Sequence, residues 1–154
     1  MRLRPALLLL ALAAAPVQAQ APAQRGAPAS PLALPAGMSP ISQGAYRLSF
    51  RAGETALPPG TDTVLAEIGR RLAASTQPGL GRVTVEGQAS GPAADVSTAR
   101  RLSLARATAV RDALVAGGLE ATRIDVRALG RTQAALDAAD ILPPGVTRRP
   151  GQTR

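Results

Sequence analysis

Arg106 lies on the apolar face of a predicted helix, where its charged guanidinium needs a polar partner. Between residues 97 and 116, apolar residues recur at helical spacing and form a stripe that includes Leu102 and Val110. At about 100° per residue, Arg106 falls near the middle of that stripe, about 40° from Leu102. A buried, unpaired guanidinium costs several kcal/mol. Arg106 must therefore meet an internal acid or line a site for an anion, unless it snorkels past its short neighbours.

The loop at residues 87–92, Gly-Gln-Ala-Ser-Gly-Pro, is the second candidate for a site. It leaves a predicted strand and leads toward the helix that carries Arg106. Crevices at the carboxyl ends of strands, beside the start of a helix, are common sites for small ligands. A plain connection without function is the alternative interpretation of this loop.

Composition excludes several classes of function. The chain has no His, no Cys and no Lys, so all 18 basic residues are arginine. Without His or Cys, an ordinary zinc site and a Ser-His-Asp triad are excluded. One Tyr and one Phe provide little surface for stacking bases, so a nucleic-acid partner is not expected. The 10 acidic residues show no catalytic spacing, and the sequence therefore predicts neither an enzyme nor a cofactor or metal site.

Residues 1–19 have the features of a secretory signal peptide. Arg2 and Arg4 precede an apolar run, and small residues occupy the −3 and −1 positions of a cleavage site after Ala19. The run is shorter than the roughly 20 residues that span a bilayer, although an uncleaved interfacial anchor is the alternative. We expect a periplasmic mature protein without a transmembrane segment, whose association with the outer membrane, if any, is peripheral.

The rest of the chain divides into an Ala/Pro-rich linker (20–44), a domain (45–140) and an irregular basic tail (141–154). The domain holds 12 arginines against 10 acidic residues, so it is nearly neutral. Alternating and helical patterns predict the order β-α-β-α-β, an α+β fold with both helices packed on one face of a sheet. The predicted elements are strands at 46–50, 82–86 and 124–129, helices at 61–75 and 97–116, and a short helical turn within 133–140.

This order of motifs resembles the OmpA-like peptidoglycan-binding domain over residues 46–131. The resemblance implies a mixed sheet and non-covalent binding of the diaminopimelate residue of the peptidoglycan stem peptide. Arg106 would hold a carboxylate of that ligand with two parallel hydrogen bonds. The residues that carry the resemblance are Phe50, Gly53, Leu57, Pro59, Leu65, Ile68, Leu72, Val83, Val85, Gly87, Leu102, Ser103, Arg106, Ala107, Val110, Leu114, Gly118, Arg123, Ile124 and Gly130.

The sequence also departs from the family's pattern. Ser90 stands where the family has an aspartate that holds the ligand's ammonium group, and Ala99 stands where it has an asparagine. Asp95 is a candidate substitute acid. Pro150 follows the two arginines taken as the family's Asn-Arg-Arg motif, and this proline puts the family's last strand in doubt. The predicted ligand-binding residues are Arg106, Ser90, Gly87, Ser103 and Asp95.

Two hypotheses follow for the function. The first is periplasmic binding of peptidoglycan, weakened by the loss of the aspartate. The second is an OmpA-like fold with an eroded ligand site, which acts as a structural or protein-interaction module among other cell-envelope proteins. Binding of anionic polymers such as lipopolysaccharide would draw only on the terminal arginines.

The signal peptide gives a direct prediction. We expect cleavage after Ala19, so the intact mass of protein recovered from the periplasm should correspond to a chain that begins at Gln20. Recovery of the full-length chain in the membrane fraction would contradict this prediction.

Overall fold

The computed structural model describes residues 32–42, 44–75 and 81–147, which all belong to one compact unit beginning at Leu32. The predicted signal peptide, most of the predicted linker and the end of the predicted tail lie outside these ranges. Within them, no helix is long and apolar enough to cross a membrane.

The described part of the chain forms five strands and two long helices. The elements are β1 (Met38–Ser42), β2 (Ala45–Ser49), α1 (Thr61–Ser75), β3 (Val83–Gln88), α2 (Val96–Ala116), a 3₁₀ turn (Ala121–Arg123), β4 (Ile124–Gly130) and β5 (Ala138–Leu142). The sheet has the order β1-β2-β5-β3-β4. Strands β3 and β4 are parallel and the other pairs are antiparallel, so the sheet is mixed and the predicted α+β class is confirmed.

Two strands lie where the sequence predicted none. Strand β1 falls inside the predicted linker, so the prediction that the folded domain starts at residue 45 is wrong at that end. Strand β5 replaces the predicted helical turn and continues two residues into the predicted tail. Among the described residues β5 is the last strand of the sheet, so the doubt raised by Pro150 arose from expecting that strand after Arg149. All five residues of β5 are buried, because β2 and β3 flank it at the centre of the sheet.

The core lies between the sheet and the two helices. Helix α1 contributes Leu65, Ile68 and Leu72, whereas α2 contributes Ala107, Val110 and Leu114. These side chains pack with alternate residues of the strands, including Val83, Val85, Leu48 and Ile141. The period of about 3.6 residues along the helices and of two along the strands brings these residues to one layer.

Gly87 allows α2 to lie very close to the sheet. A Cβ atom at this position would be 1.9 Å from the carbonyl oxygen of Ser103, a backbone atom of α2. A second close approach joins the two helices, because a Cβ at Gly69 would be 2.2 Å from the carbonyl oxygen of Leu114. Glycine is required at both positions for lack of space, since neither has a positive φ.

Replacing Gly87 therefore tests the packing of α2 on the sheet. We expect Gly87→Ala to lower the free energy of unfolding by about 1–3 kcal/mol, because α2 must shift to relieve the contact with Ser103. Thr63→Ala, at an exposed position of α1, is the control and should change stability by less than about 0.5 kcal/mol. Urea unfolding followed by circular dichroism measures both, and equal stability of the two variants would contradict the packing described.

Candidate functional site

The guanidinium of Arg106 is wholly buried, with 0% of the residue exposed, and it donates four hydrogen bonds. Nε donates to the carbonyl of Glu54 at 2.8 Å, and Nη2 donates to the carbonyl of Arg51 at 3.0 Å. Nη1 donates both to the carbonyl of Gln88 at 2.8 Å and to Oδ1 of Asp137 at 2.6 Å. An internal acid, one of the alternatives left open by the sequence, therefore pairs with this arginine.

The four acceptors come from three separate segments. Arg51 and Glu54 belong to the connection between β2 and α1, Gln88 ends β3, and Asp137 directly precedes β5. The guanidinium also lies over the ring of Phe50, with Cζ 5.2 Å from the ring centroid, within the range of a cation–π interaction. Arg106 thus joins three segments at one end of the sheet.

Asp137 links Arg106 to Ser90. Its carboxylate accepts a hydrogen bond from the backbone nitrogen of Ser90 at 3.0 Å and another from the Ser90 hydroxyl. Burial by itself raises the pKa of Asp137, but hydrogen bonds from Ser90 and Arg106 outweigh it and hold this pKa below the usual range for aspartate. The carboxylate is therefore ionised at neutral pH and forms a salt bridge with Arg106.

Ser90 and Arg106 are the two predicted site residues that the structure brings to one cluster. Gly87 and Ser103 contact each other instead, at the close approach of α2 to the sheet. The Ser103 hydroxyl donates to the carbonyl of Arg100 at 2.9 Å and accepts from the backbone nitrogen of Gly130 at 3.0 Å. These contacts give Gly87 and Ser103 a role in packing α2 against β3 and β4.

Asp95 caps the N-terminus of α2. Its carboxylate accepts a hydrogen bond from the backbone nitrogen of Thr98 at 3.0 Å, and this bond lowers the pKa of Asp95. Helix N-termini favour such a carboxylate because their first N–H groups have no partner within the helix. The acid that lies beside Arg106 and Ser90 is Asp137 and not Asp95, which corrects the sequence-based candidate.

A second buried ion pair lies next to the first and was not predicted. Asp140 is wholly buried and accepts two hydrogen bonds from Arg47, from Nε at 2.7 Å and from Nη2 at 2.9 Å. Gln88 connects the two pairs, because its carbonyl accepts from Arg106 while its side chain donates to Asp140 at 3.3 Å. The signal in the sequence was the pair of acids Asp137 and Asp140, three residues apart. The predicted helical turn within 133–140 gave no reason to place them at a central strand.

In this arrangement the guanidinium of Arg106 is not accessible to a ligand. A carboxylate from outside could reach the guanidinium only by displacing Asp137, because no part of Arg106 is exposed. Among the described residues, no group of three or more His, Cys, Asp or Glu side chains is placed to hold a metal ion.

Solved structures similar to this one come from several bacteria. The peptidoglycan-associated lipoprotein from Burkholderia pseudomallei matches with a TM-score of 0.52 and 18% identity, over 62% of this chain and 86% of that one. The OmpA-like domain of FopA1 from Francisella tularensis subsp. tularensis SCHU S4 matches with a TM-score of 0.50 and 17% identity, over 71% and 75%. The periplasmic domain of Helicobacter pylori MotB matches with a TM-score of 0.50 and 16% identity, over 68% and 84%.

These identities establish the likeness of fold alone. No curated protein matches the chain in sequence. The model of the OmpA family, however, matches residues 49–141, which is more than half of the chain and includes β3, α2, β4 and the ion pair between Arg106 and Asp137. The mixed sheet, the two helices and this match together show that the chain belongs to the OmpA family.

Proposed function

We propose that this protein is a non-catalytic module of the bacterial cell envelope in which Asp137 fills the position of the ligand's carboxylate. The observation that carries the proposal is the 2.6 Å ion pair between Asp137 and the wholly buried Arg106. The resemblance to OmpA-like domains implies that this arginine holds a carboxylate of diaminopimelate. Here the carboxylate that Arg106 holds belongs to the chain itself.

An internal carboxylate competes strongly with one from solution. Asp137 belongs to the same folded chain, so it pairs with Arg106 without the loss of translational and rotational freedom that a free ligand would incur. Three backbone carbonyls occupy further N–H groups of the guanidinium. A ligand would therefore have to break a buried ion pair before forming an equivalent one.

Ser90 supports the same proposal. The family's aspartate at this position would hold the ligand's ammonium group, but the hydroxyl of Ser90 donates to Asp137. Serine provides no negative charge for an ammonium group, and its hydroxyl stabilises the internal carboxylate. Both halves of the family's recognition site thus make contacts within the protein.

Peptidoglycan binding is the second candidate, and membership of the OmpA family favours it. The solved structures similar to this protein include a peptidoglycan-associated lipoprotein. Such binding through Arg106 would require Asp137 to move away, and would therefore be weak. We place the protein in the periplasm, on the basis of the predicted signal peptide, with other proteins of the envelope as its partners.

Moving one carboxylate tests this proposal. The double variant Ser90→Asp/Asp137→Ala keeps the net charge but transfers the acid from the internal position to the family's position. We expect the mature double variant to bind purified sacculi at least about tenfold more tightly than the wild type, because each charge-assisted hydrogen bond to a ligand contributes about 1.5–3 kcal/mol. Co-sedimentation with sacculi measures the binding, and circular dichroism checks that the variants are folded.

The single variants are the matched controls. Ser90→Asp places a second carboxylate beside Asp137, so it should lower stability without creating a site. Adding Arg106→Ala to the Asp137→Ala variant should abolish any gain in binding, because that gain depends on the guanidinium. Tight binding of the wild type to sacculi would contradict the proposal, whether or not the double variant folds.

A further inference from the structure

Strand β4 forms an open edge of the sheet. It pairs with β3 on one side, and in the described part of the chain no strand pairs with its other side. The opposite edge, β1, contains Pro40 and an irregular register between Pro40 and Ser42, which are features that prevent further pairing. Strand β4 has seven residues and no proline, so its outer N–H and C=O groups can receive another strand.

The charges on β4 are complementary to those of a second copy. In an antiparallel pair of β4 strands with the two-fold axis at Val126, Asp125 of each copy lies opposite Arg127 of the other. Opposite charges directly across an antiparallel pair are stabilising, whereas like charges are destabilising. An axis at Asp125 or at Arg127 would place two like charges opposite each other, so among these three registers the charge pattern favours the one centred on Val126.

Both charged side chains are accessible for such contacts. Asp125 pairs with Arg82 at 2.8 Å while 42% of its side chain is exposed, and 63% of the Arg127 side chain is exposed although it lies 3.7 Å from Glu86. Pairing of two copies would extend these contacts into one row that runs across both sheets. Isolated surface pairs contribute little to stability, whereas several charges that form a network contribute more.

Helix α2 leaves an apolar side chain beside the same edge. Leu104 is 49% exposed, and with Arg100, Arg101 and Ser97 it lines a shallow groove that reaches Ala128 of β4. Helix α2 packs over β3 and β4. Since strands are about 4.8 Å apart, the two α2 helices of a pair would lie about two strand spacings apart, which is the usual packing distance of helices. The second copy would therefore cover Leu104.

We infer that two copies of this chain associate through antiparallel pairing of β4, with the two-fold axis at Val126. The interface is isologous, so each copy contributes the same residues and the assembly closes as a dimer. It joins two five-stranded sheets into one continuous sheet. This inference is independent of the proposed function, because it depends on Asp125, Val126 and Arg127, whereas the proposed function depends on Arg106, Asp137 and Ser90.

Charge exchange at positions 125 and 127 tests the interface. Sedimentation equilibrium of the mature wild type should show a dimer, and Asp125→Arg or Arg127→Asp alone should weaken association about tenfold or more. The double variant Asp125→Arg/Arg127→Asp should restore it. An equimolar mixture of the two single variants should also form a heterodimer, because each positive strand then meets a negative one.

Arg70→Asp is the control, since it makes the same charge change as Arg127→Asp on an exposed position of α1. It should leave the dimer unchanged. Three results would overturn the inference. The first is a wild type that stays monomeric over a roughly 100-fold range of concentration up to about millimolar. The others are a dimer that neither single variant weakens, and single variants whose mixture stays monomeric while the wild type dimerises. Thermal unfolding of each variant shows whether it is folded.

Discussion

The ion pair between Arg106 and Asp137 is the interaction on which the end of the sheet depends. A guanidinium with no exposed surface is stable only when its N–H groups have acceptors, and here one carboxylate and three carbonyls provide them. Removing one partner of a buried pair typically costs about 3–5 kcal/mol, because the other charge stays buried. The connection between β2 and α1, the end of β3 and the start of β5 are all held by this one side chain.

The same pair explains the unusual residue at position 90. A carboxylate there would lie beside Asp137, where two like charges would raise each other's pKa and weaken the contact with Arg106. The hydroxyl and backbone nitrogen of Ser90 instead donate to Asp137. Serine at position 90 and aspartate at position 137 therefore belong to one hydrogen-bonded arrangement with Arg106. We propose that this arrangement replaces the pairing of ligand and protein that the family resemblance implies.

Periodicity alone predicted both helices, three of the five strands and the central place of Arg106 on its helix. It missed β5 because a strand buried on both faces shows no alternation, and the alanines in and before it resemble a helix. It missed β1 because the strand is short and contains Pro40. The partner of Arg106 was missed for a different reason: Asp137 is 31 residues away, and only the register of β5 brings it to the site.

The coupling energy between Arg106 and Asp137 is the most direct measurement of this account. Urea unfolding of the wild type, Arg106→Met, Asp137→Ala and the double variant gives it as a double-mutant cycle. We expect each single change to be strongly destabilising, and the double variant to be more stable than the sum of the two losses by about 1–3 kcal/mol. Additive losses, with a coupling energy near zero, would show that the two residues do not act as a pair and would contradict the account.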